Sequence, residues 1–98
     1  MLNPTKREKM TDPRGRPYFL WDMDITLERF EEMLRETDEV TWCYLVGKLM
    51  RQAKPDDVFE FVTRVEIRAR WSGIERHLGR TRAFWEWLLE AWEAGARG

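Results

Sequence analysis

Apolar residues recur at helical spacing along most of this chain. Leu27, Phe30, Met33 and Leu34 fall on one stripe, which predicts an amphipathic helix beginning after Thr26. Thr26 is a good N-cap, and Ile25 and Phe30 stand at the two positions of a hydrophobic staple. Glu28 places negative charge at the positive end of the helix dipole. Asp38 caps a second helix through about Ala53, with Trp42, Leu45, Val46 and Leu49 facing inward, and Lys54-Pro55 breaks it. Gly47, inside that helix, reads as a point where another helix comes close.

Beyond Pro55 the pattern shortens. "PDDVFEFV" predicts a short helix started by Pro55, although the alternation in "VFEFV" also suits a strand. Thr63 to Glu66 spells a capping box that opens a third long helix over "RVEIRARW", interrupted at Ser72-Gly73 and resumed in "IERHL". Thr81 is placed to cap a last helix ending at Gly95. Its apolar residues, including Phe84, Trp85, Trp87, Leu88, Leu89 and Trp92, cover an arc of roughly 200° on a helical wheel. That is wider than one packing face needs, so the helix is either sandwiched or turned partly toward a partner.

Residues 1–16 carry Pro4, Pro13 and Gly15 without periodicity and read as a mobile, disordered N-terminal tail. Residues 17–96 then form a single domain. The expected class is all-α, with four to five short helices in stacked antiparallel pairs, a HEAT-like helical bundle.

Composition adds two features. The 98 residues include six Trp, and charge is segregated although the net is −1. Trp21 to Val40 holds eight acids against Arg29 and Arg35, a balance of −6, whereas Arg64 to Arg82 holds six arginines against Glu66 and Glu75, a balance of +4. The two stretches either pair with each other or present complementary charge to a partner. A third reading has the arginines of 64–82 track nucleic-acid phosphates, but no helix-turn-helix signature accompanies them. A single cysteine, Cys43, precludes an internal disulfide and points to a cytoplasmic setting. The charged N-terminus does not read as a signal peptide, and no apolar run reaches membrane-spanning length.

Candidate chemistry is sparse. Tyr18 to Leu27, "YFLWDMDITL", resembles the nucleophile motif of haloacid-dehalogenase-type phosphatases, in which Asp22 would be the nucleophile and Asp24 the general acid/base beside a magnesium ion. That chemistry also needs a Lys or Arg and further acids on neighbouring parallel strands. The sequence offers no such strands, so the pair is read as structural: Asp24 and Thr26 begin a helix, while Asp22 has no evident local use. Cys43 and His77 are too few for a Cys/His zinc site. "LVGKLM" lacks the flanking residues of a phosphate-binding loop. No catalytic, metal or cofactor residue is assigned, and the chain is not expected to be an enzyme.

"RPYFLWDMDIT", the acidic helix after it, "DDVFEFVTRVEIR" and the Trp-rich last helix resemble a family of short bacterial proteins. These share a P-Y-F-L-W-D-x-D opening and a D-D-[VI]-[WF]-x-[FY]-[LV]-T segment, here Asp56 to Thr63. The likeness spans most of residues 16–92. It implies association with nucleotidyltransferase-type toxins, hence an antitoxin or accessory role. The expectation is a non-catalytic protein-interaction module with a protein partner or self-association. Its candidate contacts are Trp85, Trp87 and Trp92 as exposed rings, Arg64, Arg68 and Arg70, and Asp22. The alternatives are nucleic-acid binding through the arginines of 64–82 and, more remotely, an Asp-x-Asp phosphatase.

Overall fold

The computed structural model describes residues 3–97, and they form an all-α fold. Seven helices are found among the described residues: α1 (Arg7–Met10), α2 (Leu27–Glu36), α3 (Glu39–Gln52), α4 (Pro55–Val58), α5 (Arg64–Ala69), α6 (Trp71–Ile74) and α7 (Arg82–Arg97). Short 3-10 turns lie at Tyr18–Leu20, Glu75–His77 and Gly79–Thr81.

The predicted start signals do their work locally. Thr26 accepts from the Arg29 amide at 3.1 Å and Asp38 from the Thr41 amide at 2.9 Å. Thr63 and Glu66 complete the reciprocal capping box at α5. Two expectations near the C-terminal end change. The third long helix is three short pieces, because the backbone leaves helical geometry at Arg70 (φ −118°, ψ 22°) and turns α6 onto α3. Thr81 donates its hydroxyl to the Leu78 carbonyl at 2.6 Å instead of capping α7, which runs on past Gly95.

The elements gather around α3. Helices α2, α4 and α6 and all three 3-10 turns pack against it, and α5 packs on α6. Seen from α3, buried residues run almost without a break from Trp42 through Met50, Tyr44 excepted, so this helix is enclosed rather than one-sided. Close approach depends on glycine. A Cβ on Gly47 would lie 2.5 Å from the His77 Cβ, and a Cβ on Gly73 would lie 2.8 Å from the Cys43 sulfur. Helix α3 and the segment from α6 to His77 thus interlock, Gly47 of α3 admitting His77 and Gly73 of α6 admitting Cys43.

The described part of the segment read as a mobile tail, residues 3–16, is built onto the domain. Met10 is buried, Thr11 bridges to Pro17, and Thr5 bonds to Asp57. No periodicity announced this, because one buried methionine and a few hydrogen bonds carry the docking. Phe19 and Leu20 enter the core, where Phe19, Phe30 and Phe61 meet edge to face, but Trp21 stays 76% exposed.

Candidate functional site

The aspartate pair of "YFLWDMDITL" does not sit at a strand end. The residues before Asp22 form the 3-10 turn Tyr18–Leu20, and no strand occurs among the described residues. Asp24 is exposed and lies 3.4 Å from Arg16. Asp22 faces the other way and pairs with the Lys48 ammonium. Lys48 projects from α3 and is buried, so its charge needs a counter-ion, and Asp22 supplies one. Gln52 steadies the arrangement by donating to the Phe19 carbonyl at 2.6 Å and to Asp22 at 3.4 Å. The hydrogen bond from Lys48 holds the Asp22 carboxyl below its ordinary range. Asp22 therefore has a structural task, and its partner is the lysine of "LVGKLM".

A second polar centre joins the two motif segments. Asp57, fully buried, accepts from the Tyr18 hydroxyl at 2.6 Å, the Thr5 amide at 2.6 Å and the Thr5 hydroxyl at 2.8 Å. The Lys54 amide in turn donates to the Tyr18 oxygen at 2.8 Å. Burial pushes the Asp57 carboxyl up, but the bonds from Tyr18 and Thr5 outweigh it and leave the pKa lowered. Burial and the hydrogen bond donated to Asp57 push the Tyr18 phenol up to about 12. Among the described residues no group of three His, Cys, Asp or Glu side chains is placed to hold a metal ion.

The three candidate tryptophans of α7 separate. Trp85 is core, contrary to the expectation of an exposed ring: it is 1% exposed, and its indole N–H donates to the Met50 carbonyl at 2.9 Å. Trp92 is half-buried, edge to face with Phe59 at 5.0 Å and covered by the Arg64 guanidinium at 5.1 Å. Trp87 is 61% exposed and its ring lies 6.2 Å from that of Phe84, itself exposed. The wide apolar arc is thus divided, with Trp85 and Leu89 inside and Phe84 and Trp87 outside.

The arginines of 64–82 also divide. Arg64 and Arg68 meet Trp92 along an open apolar groove of about 550 Å³ that includes Val65 and Leu89. Arg68 pairs with Glu93, and Arg82 lies 3.6 Å from both Glu75 and Glu86. Arg70 stacks over Trp42 at 4.8 Å and pairs with Glu39 at 3.3 Å. Among the described residues, Arg70–Glu39 is the one bridge between the basic 64–82 and acidic 21–40 stretches, so mutual neutralisation of the two is limited. Glu31 of the acidic stretch pairs instead with Arg7.

Arg70 also lines a groove of about 600 Å³ between α3 and the α5–α6 side. Cys43 and His77 both reach this groove, yet burial and the nearby Glu39 push the Cys43 thiol up, against nucleophilic use. No helix among the described residues is long and apolar enough to cross a membrane. Comparison of the chain with protein-family models, with curated proteins and with solved structures finds no match.

Proposed function

We propose that this chain is a non-catalytic interaction domain that holds a partner protein on the outer face of α7. One observation carries the reading. Ala83, Phe84, Trp87, Ala91 and Ala94 are all exposed along one side of the helix, whereas Glu86, Glu90 and Glu93 take a separate arc. An exposed aromatic pair on an otherwise small and uncharged strip is what a protein interface uses as its anchor. The rings cost little to present, because Trp85 and Leu89 on the opposite side already fix the helix to the core.

The resemblance to toxin-associated bacterial proteins would make the partner a nucleotidyltransferase-type toxin and the chain its antitoxin or accessory protein, acting in the cytoplasm. Affinity purification of the chain from its native host tests the reading. A stoichiometric partner should be recovered with the natural chain and lost with Trp87→Ser and with Phe84→Ser, while both variants keep their helical circular dichroism. Undiminished recovery of the partner by folded Trp87→Ser and Phe84→Ser chains would refute the assignment to α7.

A further inference from the structure

The groove between α3 and α6 has a charge arrangement that the fold does not use. Its walls include Val40 and Tyr44 from α3, and Arg70, Arg76 and His77 from the facing segment. Arg51, one α3 turn beyond Gly47, lies outside the groove walls, with its Cδ 3.9 Å from where a Cβ on Gly79 would be. Burial, together with the charges of Arg76 and Arg51, presses the His77 pKa down. Arg70 is occupied by Glu39 and Trp42. Among the described residues neither Arg51 nor Arg76 forms an ion pair.

Apolar surface accompanies this charge. Val40 is 78% exposed, and the Tyr44 ring, also exposed, is held edge to face against His77 at 5.5 Å. A volume of about 600 Å³ falls within the range of ligand-sized sites. We infer that this groove docks an acidic segment of a partner polypeptide, whose carboxylates meet Arg76 and Arg51 while an apolar side chain lies against Val40 and Tyr44. Glu39 lines the same groove, which suits a ligand of localised negative charge better than a continuous polyanion. Arg76 and Arg51 supply planar donors matched to carboxylates. The inference builds on the interaction-domain reading but uses a different surface from α7.

Fluorescence anisotropy with the full chain tests it. The probe is a short fluorescein-labelled peptide alternating glutamate with leucine, set against the same peptide with glutamine for glutamate and against labelled oligo-dT. The acidic peptide should bind, weaken as salt rises, and lose about tenfold in affinity in Arg51→Gln/Arg76→Gln, the combined effect of two half-exposed ion pairs. Circular dichroism confirms that the double variant is folded. Trp87→Ser should leave this binding unchanged, so failure of the α7 surface and failure of the groove are read separately. Absence of binding, equal binding of the glutamine peptide, tighter binding of oligo-dT, or insensitivity to the double variant would each overturn the inference.

Discussion

Gly47→Ala is the sharpest test of how α3 is enclosed. In an exposed helix the change would stabilise by about 1 kcal/mol, because glycine is the poorer helix former. Here the new methyl would sit 2.5 Å from the His77 Cβ, about an ångström inside ordinary contact, and that carbon is fixed to backbone rather than at the end of a flexible chain. Relieving such an overlap pushes the Glu75–His77 turn off α3, at a cost near the upper end of overpacking, about 3 kcal/mol. The difference leaves the variant about 2 kcal/mol less stable, which for a domain of this size lowers Tm by about 10 °C. Gly95→Ala supplies the control. Nothing lies within 4 Å of its added methyl, so helix propensity acts alone and stability should rise by a few tenths of a kcal/mol to about 1 kcal/mol. Thermal and urea denaturation, followed by circular dichroism and tryptophan fluorescence, measure both. A neutral or stabilising Gly47→Ala would refute the close approach of α3 and the Glu75–His77 turn.

Other changes probe the polar centres and the core. Tyr18→Phe removes a donor to the buried Asp57 and the acceptor of the Lys54 amide, so chemical denaturation should show a loss of about 1–3 kcal/mol. Asp22→Asn leaves Lys48 without its counter-ion and should lower the denaturation midpoint at neutral pH. Because the folded Asp22 pKa lies below its ordinary 3.8, the stability it contributes is present above that value and is lost as pH falls through the lowered folded pKa. The wild-type advantage over Asp22→Asn should therefore narrow in acid and persist at neutral and alkaline pH. Trp85→Ala should cost about 3–5 kcal/mol by denaturation, whereas Trp87→Ser should stay within about 0.5 kcal/mol of the natural chain.

Much of this was legible because capping and amphipathic spacing are local. Thr26, Asp38 and Thr63 announce their helices through residues three positions away, and they cap as expected. What escaped is long-range. Asp22 looked idle because its partner lies 26 positions on. The available signal was the lysine itself, set among Leu45, Val46, Leu49 and Met50, where a charge must find a counter-ion. The breakup of the third helix was partly marked by Ser72-Gly73, but the need to bring Gly73 against Cys43 belongs to the packing. The division of α7 into core and exposed sides could not be fixed either, since a wheel gives the width of an apolar arc but not how much of it the domain covers. The expectation of an exposed Trp85 ring fails for this reason: the fold buries it.

The contacts of Thr5 give the N-terminal end a bearing on engineering. Two of the three donors to the buried Asp57 carboxylate come from this one residue, and Arg7 pairs with Glu31 of α2. A tag fused close to Thr5, or a protease that trims ahead of Met10, acts on the interior and not on an idle appendage. Stripping those residues leaves Tyr18 to hold the carboxylate alone. Affinity handles and fluorophores meant to leave the fold alone are therefore better placed after α7, and limited proteolysis at this end becomes a direct readout of core integrity.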